Sequence, residues 1–224
     1  MPELALRCID SWHKHMPDWE YKLWNENNFD INYNAYTREA YEAGKFAFVS
    51  DVARLYALRT EGGLYLDTDV LALKSFEELL IHQSFAGFEG SKYSPVGTCV
   101  MASQKNGLWV TQLLNSYSDR HFIKPDGSYD MTTNVQFSTK LMVAEGFIAD
   151  GTEQNYKDCH IFPVEYFCPR QTSGEYIRTG NTYCDHLGLA SWGTHNHGWK
   201  ARLLHCLGQK WKVRLIKLKR KLLG

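Results

Sequence analysis

The sequence predicts an α/β domain over residues 1–198, followed by a separate basic tail over residues 199–224. Three observations carry that expectation. Strand-like and helical segments alternate through the middle of the chain, the pattern of a sheet covered by helices. Of the 224 residues, 44% are hydrophobic and 14% aromatic, enough to fill a sizeable core and too many for wholesale disorder. Charge is segregated: the formal net charge is +0, yet nine of the 25 lysines and arginines lie between Lys200 and Lys221, and no acidic residue follows Asp185.

Residues 4–15 put Leu4, Cys8, Ile9 and Trp12 on the stripe of an amphipathic helix, which Pro17 ends. Residues 21–24 read as a strand and the Asn- and Asp-rich stretch 25–34 as a loop. A short helix over 36–44 closes at glycine, and a second is expected to begin near Ser50, whose side chain suits an N-cap. Val52, Leu55 and Tyr56 give that second helix an apolar face, and Gly62-Gly63 turns the chain into a short buried strand at 64–66. Strands at 85–88 and 98–102 then alternate with helices at 108–117 and 133–146. Residues 161–199 are aromatic, irregular and rich in Gly and His, the composition of a long site-forming segment.

In the tail, Leu204, Leu207, Trp211, Leu215, Leu218 and Leu222 recur at intervals of three and four among lysines and arginines. This spacing predicts a basic amphipathic helix lying on an anionic membrane; a helix packed against the domain is the alternative. Residues 1–185 hold 16 basic against 25 acidic side chains, a net of −9. Such a body repels polyanions, so nucleic acid is not an expected partner. A small anionic ligand held through a cation suits it better. The N-terminus has no leader-like pattern and no run of about 18 apolar residues occurs, so the expected location is cytoplasmic, peripheral on the inner face of the membrane. The six cysteines, Cys8, Cys99, Cys159, Cys168, Cys184 and Cys206, contain no CxxC pair. That argues against a structural zinc site and against a compact disulfide framework, and they read as mostly buried thiols.

The chemistry concentrates at Asp67 and Asp69, immediately after the apolar strand 64–66. Alternate residues of an extended chain point the same way, so both carboxylates can reach one divalent cation, and hard oxygen ligands favour Mn²⁺ or Mg²⁺. Such a cation neutralises a nucleotide diphosphate and stabilises it as a leaving group. Asp51 and Arg54 lie one helical turn apart upstream. If the Gly62-Gly63 turn folds their helix back beside the strand, a carboxylate suited to sugar hydroxyls and a guanidinium suited to phosphate converge on the metal. The alternative is an Asp51–Arg54 salt bridge on an exposed helix. Further on, Asn134 and its neighbours Thr132 and Thr133 either line the donor or acceptor pocket or serve as a helix N-cap.

Two strings, Ala47-Phe48-Val49-Ser50-Asp51-Val52-Ala53-Arg54-Leu55 and Glu61-Gly62-Gly63-Leu64-Tyr65-Leu66-Asp67-Thr68-Asp69-Val70, resemble the DXD sugar-binding region of family 32 glycosyltransferases. That family includes capsular polysaccharide transferases and initiating α-1,6-mannosyltransferases, and clostridial glucosylating toxins share its core. The resemblance implies a GT-A-like fold, a central mixed sheet flanked by helices. Asp67 and Asp69 would approach the metal and donor, with Ser50, Asp51, Arg54 and Tyr65 around the donor. Residues 161–167 and then Asn181-Thr182-Tyr183-Cys184-Asp185-His186 before Ser191-Trp192 resemble the family's C-terminal pattern. By that likeness His186 is the third metal ligand and Trp192 covers the nucleotide or sugar, whereas His195 and His197 read as loop residues. Family members also carry a short strand ahead of the first helix. Nothing from Met1 onward matches it, so either another segment does its work or the chain is a piece of a longer one.

The function implied is a metal-dependent, retaining transfer of a hexose from a nucleotide sugar, UDP-hexose favoured over GDP-mannose. The acceptor is a hydroxyl of a surface glycan or lipid-linked saccharide. In this reading Asp67, Asp69 and Arg54 are the catalytic residues. A sugar-binding or assembly protein of the same fold with little or no turnover is one competitor. A haloacid-dehalogenase-type phosphatase, with Asp67 as nucleophile, is another; it requires a later paired-carboxylate motif, and no adjacent Asp-Asp occurs.

Overall fold

The computed structural model describes residues 2–90, 95–170 and 174–188, and the backbone of 213–217. Helix α1 (Glu3–His15) leads to strand β1 (Glu20–Trp24) and then to helices α2 (Ala35–Glu42) and α3 (Phe46–Glu61). Strands β2 (Gly63–Leu66) and β3 (Val70–Ala72) follow, then a 3-10 turn (Glu77–Ile81), β4 (Ser84–Gly87) and β5 (Val100–Ser103). Helices α4 (Leu108–Asn115) and α5 (Asn134–Ala144) precede β6 (Gln154–Tyr156), β7 (Cys159–Phe162), a short 3-10 turn (Val164–Tyr166), β8 (Cys184–His186) and β9 (Val213–Lys217).

Seven strands form one sheet in the order β1-β9-β2-β5-β4-β7-β6, and β3 pairs with β8 in a small second sheet. Among the described residues only the β4–β7 pair is parallel, so the sheet is mixed, as expected. Alternation along the strands divides the interior into two cores. Tyr65, Ala86, Met101 and Ile161 face one core with helices α2 to α5, and Leu64, Leu66, Phe85, Val100 and Phe162 face the other with α1.

Of the predicted stripe of α1, Cys8, Ile9 and Trp12 are buried and Leu4 is half-buried, while Ala5 joins the buried face. Trp12 Nε1 donates to the Val70 carbonyl at 2.7 Å, which pins α1 onto β3. Helix α3 begins at Phe46, ahead of the expected start near Ser50, and its N-cap is Lys45 with no side-chain cap. Ser50 lies inside the helix, its hydroxyl donating to the Ala47 carbonyl at 2.7 Å. Burial of Phe48 and Val49 in the core extends the helix backwards, and that packing outweighs a capping preference. The cap expected at residue 132 or 133 falls on Thr133, whose Oγ1 accepts from the Gln136 N–H at 3.3 Å.

Gly62 ends α3 with φ +73° and ψ −172°, a region almost confined to glycine. A Cβ there would stand 2.7 Å from the Lys105 backbone nitrogen. The close approach lets β2 start directly behind the helix.

The C-terminal expectation requires correction. Residues 213–217, predicted within an amphipathic helix, form β9, antiparallel to both β1 and β2. Val213 and Ile216 are strand formers, and flanking strands on both sides satisfy the backbone of the segment, a tertiary gain that a helical spacing of leucines does not report. These residues therefore belong to the body's sheet, where they link β1 to β2. Residues 199–212 and 218–224 of the tail lie outside the described residues. Within the stretch expected to be irregular, 184–186 form β8, too short to show a period in the sequence.

Candidate metal and donor site

The site begins on α3. Asp51 and Arg54, three residues apart, are 8% and 6% exposed, so the alternative of a salt bridge on an exposed helix does not hold. Arg54 Nη2 donates to Asp51 Oδ1 at 3.1 Å, and Nη1 donates to the Thr98 carbonyl at 2.8 Å and lies 3.3 Å from Asp67 Oδ1. Its guanidinium also stacks over Tyr65, 4.5 Å from the ring centroid, and the Tyr65 hydroxyl donates to Asp67 Oδ1. One buried cation thus joins helix α3 to the end of β2. This is the convergence that the Gly62-Gly63 turn was expected to produce.

Asp67 leaves β2 in a tight turn. Its N–H donates to the Cys99 carbonyl at 2.9 Å and its carbonyl accepts from the Val70 N–H at 3.0 Å. The turn redirects the chain into β3, which pairs antiparallel with β8 so that Val70 faces His186. The Leu187 N–H donates to the Asp69 carbonyl at 3.0 Å, and His186 Nε2 stands 3.4 Å from Asp69 Oδ1. Asp67, Asp69 and His186 each present a ligand atom within 4.8 Å of the others. Their side chains are 26%, 14% and 26% exposed, open enough to be reached from solvent. Two carboxylates and an imidazole form a donor set suited to Mn²⁺ or Mg²⁺.

Electrostatics around the turn are strongly biased. Burial pushes Asp51 up to about 7; Arg54 pulls it down and Asp67 adds to the rise. Burial opposes the Arg54 charge, but Asp67, Tyr65 and Asp51 outweigh it and hold the guanidinium above its ordinary range. His186 behaves similarly: burial opposes its charge, yet the Cys99 sulfur and the Asp69 carboxylate push it up to about 12. The space between Asp67 and Asp69 therefore favours positive charge. A divalent cation held by the same three side chains would take over that charge, and His186 would bind it as the neutral ring.

Asn134 opens α5 and, with Asp51, Arg54, Thr98 and Tyr117, lines a small crevice beside the buried pair. Ser50 reaches the site through its carbonyl, which accepts from Arg54 Nε at 3.4 Å, while its hydroxyl is turned onto its own helix. Trp192, with His195 and His197, lies outside the described residues. Sequence reasoning missed Thr98, whose carbonyl orients Arg54, and Glu89, Cys99 and Cys168, which surround His186. None of these carries a spacing signal: Thr98 and Cys99 are neighbours, and Glu89 and Cys168 come from two other segments.

Residues 2–86 match the family described as the glycosyltransferase sugar-binding region containing the DXD motif. Over 80 residues the chain is 39% identical to the glucan organizing enzyme 1 of Cryptococcus neoformans var. grubii serotype A (strain H99), an alignment covering 32% of this chain and 22% of that protein. The chain thus matches about a fifth of that relative's length. The family match takes in Asp51, Arg54, Tyr65, Asp67 and Asp69 and stops before Asn134 and His186. Residues 2–86 are thus similar to a glycosyltransferase sugar-binding region, and Asp67-Thr68-Asp69 is the DXD sequence within the match.

Proposed function

We propose that this chain is a metal-dependent glycosyltransferase that moves a hexose from a nucleotide sugar to a hydroxyl of a surface glycan or lipid-linked saccharide, with retention of anomeric configuration. The observation that supports it is the meeting of Asp67, Asp69 and His186 within 4.8 Å, directly beside the buried Asp51–Arg54 pair. Mn²⁺ or Mg²⁺ bound there would supply neutralisation of the departing diphosphate. Asp67 and Asp69 hold the cation, and His186 completes its ligands. Arg54, fixed by Thr98 and Asp51, contributes positive charge at the phosphate side without reorganising. Asp51 and Asn134 border the crevice where the sugar hydroxyls would be held, and Tyr65 keeps Arg54 and Asp67 in register.

UDP-hexose is the favoured donor and GDP-mannose the alternative. Attachment to an anionic membrane, with a cytoplasmic location, belongs to the same proposal; it rests on the nine basic residues between Lys200 and Lys221 and no longer on a helix. The phosphatase reading lacks the later paired-carboxylate motif that it requires, since no adjacent Asp-Asp occurs in the sequence.

The test is a panel of UDP- and GDP-sugars with Mn²⁺ and the full chain. Nucleotide release that disappears in Asp69→Ala supports the proposal. Release that survives Asp69→Ala contradicts the metal role, and donor binding without release points to the non-catalytic sugar-binding protein.

A further inference from the structure

Behind His186 stands a second set of ligand atoms. Glu89, Cys99, Cys168 and His186 each offer one atom within 4.8 Å of the other three. They come from four separate places: the segment after β4, the segment before β5, the chain after the Val164–Tyr166 turn, and the end of β8. Cys99 and Cys168 are 3% and 5% exposed, with their sulfurs 3.4 Å apart. We propose that these four side chains bind one zinc-class divalent cation, at a site chemically distinct from the Asp67–Asp69 pair.

Ligand type is the first argument. Two sulfurs, an imidazole and one carboxylate make a four-ligand set that suits a tetrahedral, borderline-soft ion and disfavours Mg²⁺, which prefers oxygen. Geometry is the second. Two thiolates held about 2.3 Å from a tetrahedral ion stand about 3.8 Å apart, whereas a disulfide requires about 2.0 Å. The observed 3.4 Å is much closer to the metal-bridged span.

Enclosure is the third. The loop backbone packs closely against the half-buried carboxylate, for a Cβ added at Gly97 would lie 3.0 Å from Glu89 Oε2. Backbone hydrogen bonds set three of the four ligands in place: Glu89 N–H to Pro95 at 2.8 Å, Cys168 N–H to Val164 at 2.9 Å, and the Cys99 carbonyl from Asp67 at 2.9 Å. A half-buried carboxylate beside two thiols is costly unless a cation or a proton compensates it, and a cation does so while also satisfying the sulfurs.

Two of these anchors reach the DXD turn directly. The Cys99 carbonyl holds the Asp67 N–H, and His186 presents a nitrogen within 4.8 Å of the Cys99 sulfur and stands 3.4 Å from Asp69 Oδ1. A neutral imidazole offers one lone pair, so His186 ligating the inner cation would turn its remaining N–H toward Asp69, and it would ligate both cations at once only as the imidazolate, its proton released to solvent. A cation at the inner site would therefore fix His186 and brace the turn that carries Asp67 and Asp69, as supporting groups behind a metal ligand do.

The test uses the full chain, purified under reducing conditions, freed of metal with a chelator and titrated with Co²⁺. A thiolate-to-cobalt charge-transfer band should appear with the intensity of two thiolates, saturate at about one equivalent, and be displaced by Zn²⁺ but not by excess Mn²⁺. Cys99→Ser and Cys168→Ser should each abolish it, Cys159→Ser should not, and Asp69→Ala should leave it intact. Absence of the band in the unsubstituted chain overturns the proposal, as does a band that survives both serine substitutions, or a Cys99–Cys168 disulfide in the purified protein. Should the serine variants fail to fold, the stoichiometry, intensity and metal preference of the unsubstituted chain decide. This readout requires no turnover, so it stands or falls separately from the glycosyltransferase proposal.

Discussion

Arg54 Nη1 lies 3.3 Å from Asp67 Oδ1, while Nη2 of the same guanidinium donates to Asp51 at 3.1 Å. One side chain thus ties the helix that carries Asp51 to the turn that carries the DXD motif. It does so inside the protein, where removing one member of a charge set leaves the others uncompensated. Arg54→Met is expected to destabilise the chain by about 3–5 kcal/mol, and the Asp51→Asn/Arg54→Met pair by less than the sum of the single changes. Urea denaturation of the three variants checks this. Additive losses would mean that Asp51 and Arg54 do not act as a unit.

Asp67 and Asp69 contribute differently, because they remain partly exposed and face the proposed cation. Replacing Asp69 by alanine is expected to cut metal-dependent nucleotide release by at least about 10²-fold, since a metal-bound leaving group carries several kcal/mol of transition-state stabilisation. His186→Ala should act mainly on the metal requirement, raising the Mn²⁺ concentration for half-maximal activity by about 10–100-fold. Rates measured across a Mn²⁺ series separate the two effects, and an unchanged Mn²⁺ midpoint in His186→Ala would remove it from the ligand set.

Burial raises Asp51 to about 7, against the ordinary carboxylate range near 4. Between those values the native state keeps a proton that the unfolded chain has released. The Asp51 contribution to stability therefore falls as pH rises across that window and levels off above it. Asp51→Asn removes the titration, so the variant should gain on the unsubstituted chain from about pH 4 to about pH 7. Denaturation midpoints measured through that range test the sign, and parallel profiles for the two proteins would refute it.

Gly62 holds φ +73° where α3 gives way to β2, with the Lys105 backbone within 2.7 Å of any added Cβ. Gly62→Ala should cost about 1–3 kcal/mol from backbone strain alone, and more if the Lys105 backbone has to move. A thermal melt is sufficient to see it. A variant as stable as the parent would show that the turn relaxes freely.

Much of the N-terminal part was legible because its signals are local. The stripe of Cys8, Ile9 and Trp12, the glycine turn at 62–63 and the apolar strand before Asp67 each need only a few consecutive residues to declare themselves. The start of α3 was misplaced because Ser50 is a good cap in isolation, whereas burial of Phe48 and Val49 decides the matter in the fold. Strand β9 was misread for a related reason: helical spacing among leucines says nothing about two unpaired strand edges waiting elsewhere in the sheet.

From its own order of residues, the chain determined that α3 and β2 would meet and that Asp51, Arg54, Asp67 and Asp69 would share one site. Only a turn separates these elements, so covalent geometry brings them together. Family likeness pointed to His186, but tertiary structure decided how it arrives, through β8 pairing with β3, and that Glu89, Cys99 and Cys168 gather around the same ring. Those residues are far apart along the chain, and contacts of that kind leave no period or spacing behind; they exist only once two cores have packed on either side of the sheet.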